Sequence, residues 1–312
     1  MPSALTQHKI GWIGAGGRMG YAMAERLAKA GADVVVWNRT RAKAEPLTKS
    51  GCAIVEAPAD LAACDIVFAT VAASDDLKQV TLGPKGVLTH ARHRPKILID
   101  SSTVSEESSA AVRAAASEQG VKMLAAPVSG NAKVVKAGKL TFVVSGPRAA
   151  YDAALPYLNA LGQGSSYVGE GELARMVKIC HNVFLGAVIQ SLVEVTVLAE
   201  KGGVPRHAFL DFINKSVMGS TFTRYKSPSL VRLDFTPTFT PPLLKKDLDL
   251  GLDAADKTGV AMPLTALARE IVQSLIGRGH VEDDFATLLL QQADASGLKL
   301  VKEDVAVDDG LH

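Results

Sequence analysis

Lys9-Ile-Gly-Trp-Ile-Gly14-Ala-Gly-Gly-Arg-Met-Gly20 is a short apolar run that feeds directly into a cluster of glycines. A helical pattern follows from Ala22 to Ala30 and stops at Gly31; Asp33-Val-Val-Val-Trp37 then reads as a β-branched strand. Strand, glycine turn, helix and strand within about thirty residues is the setting that a dinucleotide fingerprint requires. Glycines let the backbone approach a pyrophosphate, and the helix N-terminus offers N–H groups and a partial positive charge. Two registers fit. Gly14 and Gly16 occupy the first two positions with the third glycine one residue late at Gly20; alternatively Ala15, Gly17 and Gly20 keep the spacing without the first glycine. Either way Gly14, Ala15, Gly16, Gly17, Arg18 and Met19 form the expected cofactor loop.

The end of the second strand selects the cofactor. A binder of the unphosphorylated dinucleotide usually places Asp or Glu here, on the ribose hydroxyls. This chain has Asn38, Arg39, Thr40 and Arg41. A carboxylate would repel a 2′-phosphate, whereas a guanidinium binds one bidentately and stacks on adenine. NADP is therefore expected over NAD, with Asn38, Arg39 and Thr40 around its adenosine end.

Strands and helices keep alternating: Ile66 to Val71, Ile97 to Asp100, Lys122 to Ala125 and Lys139 to Gly146 read as further strands. The loops after them, including Ala72 to Asp76, Ser101 to Thr103 and Pro127 to Gly130, belong at the ligand crevice of an open parallel sheet. The alternation ends near Gly169-Glu-Gly-Glu-Leu-Ala-Arg-Met-Val-Lys178-Ile-Cys-His-Asn182, where a long helical pattern begins and runs through Leu198. Lys178 and Asn182 are four apart and share one face of that helix. A lysine on a helix is ordinarily a solvated charge, but this one stands at a junction of two kinds of sequence, where ligand clefts form. Beyond it only helical patterns appear, broken by Gly202-Gly203, Pro205 and the loop from Pro237 to Pro242. The expected architecture is an α/β Rossmann-type N-terminal domain over 1–170 and an all-α C-terminal domain over 171–312, joined by a long interdomain helix. The acidic tail from Glu303 to His312 is expected to fray.

Bulk properties narrow the function. A chain of 312 residues suits about two domains, and 47% hydrophobic residues supply their cores. Thirty-four basic against 32 acidic residues give no reason to expect nucleic acid or a membrane surface. Cys52, Cys64 and Cys180 are odd in number and lack metal spacing, so no metal site and a reducing compartment are expected. The first ten residues carry no signal-peptide core, and Gln190 and Glu194 interrupt the apolar stretch from Val183 to Leu198. A soluble, cytoplasmic protein is expected.

Several segments together resemble the β-hydroxyacid dehydrogenase family, which includes 3-hydroxyisobutyrate dehydrogenase. They are Ile13 to Gly20, Asp100-Ser-Ser-Thr-Val104, Pro127-Val-Ser-Gly130, Gly138-Lys-Leu-Thr141, Gly171 through Lys178 to Asn182, and Lys246-Asp247-Leu248. They occur in the family's order and span nearly the whole chain. The resemblance implies an NADP-dependent oxidoreductase that moves a hydride between the nicotinamide and a small β-hydroxy acid or its semialdehyde. It implies Lys178 as general acid/base, with Asn182 holding the substrate beside it, and Ser129 and Gly130 on the substrate carboxylate. Val71, Ala72 and Thr103 then lie on the nicotinamide ribose side, and Lys246 reaches cofactor or substrate from the helical domain. It also implies a homodimer or homotetramer.

Three residues depart from the family pattern. Ala125 stands where Asp is frequent. Asn131 replaces a second glycine and is expected to alter the pocket floor as a substrate-binding residue. His181 gives the Lys-x-x-His-Asn form seen in 6-phosphogluconate dehydrogenases. Two other readings compete: imine reduction on the same fold, whose enzymes generally lack the lysine, and a non-catalytic NADP-binding protein, which would be free to lose Lys178, Asn182 and Ser129.

Overall fold

The computed structural model describes residues 4–312. Six parallel strands form the main sheet: β1 (Ile10–Ile13), β2 (Val34–Trp37), β3 (Ala53–Ile54), β4 (Ile66–Ala69), β5 (Ile97–Asp100) and β6 (Lys122–Ala125). Their order, β3-β2-β1-β4-β5-β6, is that of a Rossmann-type doubly wound sheet. Every residue of β1, β4 and β5 is buried, as strands covered on both faces require. Alternate side chains go to opposite faces. Ile10, Trp12 and Phe68 join one core with α1 (Arg18–Lys29) and α5 (Arg148–Leu161), where Trp12 stacks on Phe68 at 4.7 Å. Ile13, Val67 and Leu98 join the other, with α2 (Ser74–Leu82) and α3 (Glu106–Glu118). Strand order reverses between β1 and β4, so the loops at their carboxyl ends bound the crevice.

A second sheet was not expected. It comprises β7 (Val128–Ser129), β8 (Thr141–Val144) and β9 (Gly164–Tyr167), with β7 antiparallel and β9 parallel to β8. β7 has two residues and β9 reads Gly-Ser-Ser-Tyr, so neither carries an apolar alternation. Between β7 and β8 lies the short α4 (Ala132–Lys136).

The chain divides into two compact units between Lys178 and Ile179, inside α6 (Leu173–Lys201). Among the described residues, the second unit holds helices alone: the rest of α6, α7 (Arg206–Lys215), α8 (Thr221–Arg232), α9 (Pro241–Thr258), α10 (Pro263–Gly277) and α11 (Leu288–Ala295), with a short 3-10 turn at Phe285–Thr287. By length and composition α6 is apolar enough to cross a membrane, with a mean hydropathy of 1.7 over its most apolar window. Its Ile189, Val193 and Val197 are instead spent on the core of the helical unit, against Leu210, Leu244 and Leu275. Two glycines let α9 lie close to α6. A Cβ on Gly251 would meet the Val183 side chain at 2.3 Å, and one on Gly186 would meet Leu248 at 2.8 Å.

The tail does not fray as expected. The Glu303 carboxylate accepts from the backbone N–H groups of Arg206 and His207 and lies 2.9 Å from His207 Nδ1. Arg206, fully buried, donates to the Val301 carbonyl, while Leu298, Leu300 and Val307 pack on the helical core. An acidic composition suggested a solvated tail, but a single glutamate closes the N-terminus of α7, where negative charge is favoured.

Candidate active site

The glycine loop settles which register applies. Gly14 has φ +85°, and a Cβ there would sit 2.1 Å from the Thr70 carbonyl oxygen. A Cβ on Gly20 would meet the Gly14 carbonyl oxygen at 2.3 Å, so Gly20 lets α1 close on the loop. Gly14 is the first glycine and Gly20 the third, one residue late. Gly17 is the N-cap of α1; no side chain caps this helix, and no acidic residue stands in its first turn. Such an N-terminus, framed by glycines, fits the pyrophosphate of a dinucleotide. Ala15 is fully buried, Arg18 and Met19 begin the helix, and Met19 packs against the core.

Asn38 has a task that the sequence did not reveal. Its Oδ1 accepts from Gly16 N–H at 3.0 Å and its Nδ2 donates to the Thr40 carbonyl at 2.8 Å, cross-linking the glycine loop to the turn after β2. Arg39, expected at the adenosine end, is 82% exposed and 3.3 Å from Asp76. Arg41 is tied at 2.7 Å to Glu56.

Just beyond β4, Val71 donates its N–H to Ser102 Oγ at 2.9 Å. Ser102, missed by the sequence reading, holds this loop; Thr103 beside it is half-buried. Ala72, next to Val71, is exposed. Ser102 is held in turn by Asp100, whose Oδ1 accepts from Ser102 N at 3.1 Å and Ser102 Oγ at 2.6 Å. That is an Asx turn, a pattern the Asp100-Ser-Ser sequence carries. Asp100 is also paired with Arg175 of α6, and both are buried. Lys178 lies one turn further along the same helix and is half-buried.

Ser129 ends β7 and Gly130 follows with φ +132°, where a Cβ would meet the Val134 side chain at 2.7 Å. Asn131 is the N-cap of α4; its Oδ1 accepts from Lys133 N at 3.0 Å and Val134 N at 3.1 Å. The residue expected to reshape the pocket floor thus spends its oxygen on the turn that carries Ser129 and Gly130.

The remaining candidates sit in the helical unit. Asn182 is buried and donates from Nδ2 to Asp247 Oδ2 at 2.5 Å, while its Oδ1 lies 2.9 Å from His181 Nδ1. The close approach of α9 at Gly251 brings Asp247 within reach. Lys246, 41% exposed, lies 3.3 Å from Asp247 Oδ1. Asn182 thus lies between His181 and Asp247, the latter a residue the sequence reading named only as part of a motif. Among the cysteines, burial pushes the Cys52 and Cys64 thiols up to about 11, so neither is a thiolate near neutral pH.

The chain is similar to known proteins along most of its length. Residues 9–170 fit the family described as the NAD binding domain of 6-phosphogluconate dehydrogenase, and residues 172–291 the NAD-binding family of NADP-dependent 3-hydroxyisobutyrate dehydrogenase. Glyoxylate/succinic semialdehyde reductase 2 of Arabidopsis thaliana is 30% identical over 90% of this chain and 78% of its own length. The Mycobacterium tuberculosis 3-hydroxyisobutyrate dehydrogenase structure with L-serine superposes with a TM-score of 0.78 and 27% identity, over 91% of this chain and 98% of that one. The cytokine-like nuclear factor N-PAC of Xenopus tropicalis is 32% identical over 91% of this chain, which spans only 53% of that protein. With one family match ending just before α6, a second running from there to residue 291, and a reductase 30% identical over 78% of its length, the chain belongs to the 3-hydroxyisobutyrate dehydrogenase-like family of NAD(P)-dependent oxidoreductases.

Proposed function

We propose that this enzyme reduces the semialdehyde of a small carboxylic acid, or oxidises the matching β-hydroxy acid, with NADP as the preferred cofactor and Lys178 as the proton donor and acceptor. The observation that carries the reading is the placing of Lys178 on α6, one turn beyond Arg175, which is bonded to Asp100 at the carboxyl end of β5. In a doubly wound sheet that end is where the dinucleotide lies.

The residues from Gly14 to Met19 would hold the pyrophosphate, Arg39 the 2′-phosphate, and Val71, Ala72 and Thr103 the nicotinamide ribose side. When bound, the reduced cofactor supplies the hydride that the carbonyl carbon receives. Lys178 gives its ammonium proton to the carbonyl oxygen during reduction and takes the hydroxyl proton during oxidation. Ser129 Oγ and Gly130 N–H hold the substrate carboxylate, which fixes the reacting carbon. The Asp247 carboxylate orients the Asn182 amide, and Lys246 adds positive charge for an anionic substrate or cofactor.

The family match at residues 172–291 and the guanidinium of Arg39 support NADP over NAD. Three unpaired cysteines support a reducing compartment, the cytoplasm. The exposed apolar residues Phe184 and Leu198 of α6 support a homodimer, or a homotetramer built from it.

Lys178→Ala tests the chemistry. Turnover on the best substrate of a semialdehyde and hydroxy-acid screen should fall by about two to four orders of magnitude, with cofactor affinity nearly unchanged. Lys178→Arg should not restore it, because a guanidinium keeps its proton at any working pH. Ser129→Ala should act mainly on KM. Near-normal turnover by Lys178→Ala would remove the lysine from the mechanism, and NADPH binding with no turnover of any screened substrate would indicate a cofactor-binding protein.

A further inference from the structure

Asp100 joins the loop after β4, through Ser102, to the start of the lysine's helix, through Arg175. Its Oδ1 takes two hydrogen bonds from Ser102, and Ser102 Oγ accepts the Val71 N–H. Its Oδ2 pairs with the Arg175 guanidinium, whose Nη1 also donates to the Ser102 carbonyl at 2.5 Å and whose Nε donates to Ser109 Oγ of α3 at 3.2 Å. Glu172 lies 3.7 Å from Arg175 and 2.5 Å from Arg113, which reaches the Met123 carbonyl of β6. The backbone is held as well. Ser145 Oγ, from the end of β8, accepts the Ala174 N–H and donates to the Gly171 carbonyl.

Burying a guanidinium and a carboxylate at 2% and 0% exposure gives little net stability compared with an apolar pair, because desolvation offsets the attraction. What a planar guanidinium bonded in three directions does provide is a fixed position and rotation for the helix that bears it. Lys178 follows Arg175 by three residues, about 4.5 Å along the axis and on the same side. A displacement of about 1 Å at a reacting group costs on the order of a hundredfold in rate.

We propose that Arg175 and Asp100 are positioning residues: through this buried pair the enzyme sets its proton donor in register with the cofactor loop held by Ser102. The inference rests on the reading of Lys178 as proton donor, and a double-mutant cycle separates the two. Lys178→Ala alone tests that reading; near-normal turnover would overturn both. With Lys178→Ala impaired, Arg175→Lys, which keeps the charge but loses the fork, should lower kcat by about ten- to a hundredfold. KM and the NADPH Kd should stay within about threefold. In the Lys178→Ala background the same change should cost less than about twofold, because there is no proton donor left to misplace. An equal loss in both backgrounds would make the pair merely structural, and an unchanged kcat in the wild-type background would overturn the proposal outright. Should Arg175→Lys fail to fold, Ser109→Ala removes only the acceptor of Arg175 Nε. It should lower kcat about three- to tenfold in the wild-type background and not in Lys178→Ala; no change, or the same change in both, would overturn it.

Discussion

Under the proposed function, cofactor choice should turn on Arg39, and its contribution can be worked from its surroundings. A hydrogen bond to a charged group contributes about 1.5–3 kcal/mol. Arg39 is 82% exposed, so salt screens it, and to reach a 2′-phosphate it must leave Asp76 at 3.3 Å. An exposed pair of that kind contributes at most about 1 kcal/mol, leaving a net of about 0.5–2 kcal/mol, or roughly two- to thirtyfold in affinity. Arg41 is held by Glu56 at 2.7 Å and should matter less, under about threefold on Arg41→Ala. The assay is a fluorescence titration of NADPH and NADH into wild type, Arg39→Ala and Asp76→Asn. Arg39→Ala should lose the NADPH preference while NADH binding stays level. Asp76→Asn, which frees the guanidinium, should tighten NADPH by up to about fivefold. Equal binding of the two cofactors to wild type, or an unaltered ratio in Arg39→Ala, would refute the reasoning.

In the helical unit, Lys226 and Asp284 form a buried pair at 2.5 Å, with the ammonium 4.4 Å from the Phe285 ring centroid. Burial pushes the Asp284 carboxyl up, but the Lys226 charge and hydrogen bonds from Lys226, Thr238 and Ala286 outweigh it and hold the group below its ordinary 3.8. Its stabilisation is therefore present above pH 3.8 and lost as pH falls through the lower folded value. Asp284→Asn should cost about 3–5 kcal/mol in urea unfolding at neutral pH and should abolish this acid dependence; a variant as stable as wild type, or one that keeps the same acid slope, speaks against it. For assembly, Phe184 and Leu198 are 68% and 72% exposed on one side of α6, and Leu264 and Leu267 are 62% and 59% exposed on α10. Light scattering should give a multiple of the 32.8 kDa chain mass, and Phe184→Glu with Leu198→Glu should yield monomer; a wild-type monomer at micromolar concentration would sink the dimer.

Five strands of the main sheet were legible because they are written as largely apolar runs that stop at glycine or a small polar loop; β3, two residues at the sheet edge and not buried, was not read. Helices were legible from spacing and from their stops, as at Gly31 with φ +97°. What escaped lacked a period. β7 is too short for one and β9 has serines where apolar residues would mark a face. The tail misled for another reason: composition predicts solvation, but one carboxylate meeting the orphan N–H groups of α7 is enough to tie a strap down.

Site residues divide along a similar line. Gly20 and Asn131 act on neighbours in sequence, so turn and cap chemistry makes them readable. Asp100 and Arg175 are 75 residues apart, and Asn182 and Asp247 are 65 apart. No periodicity reports such partners. A buried charge needs a partner, however, and an arginine among the apolar residues that open a long helix predicts a carboxylate somewhere in the fold. Asp100, at the end of an all-apolar strand, is the matching half. Each is anomalous in its own segment, and the need of one buried charge for the other is what ties β5 to the lysine's helix.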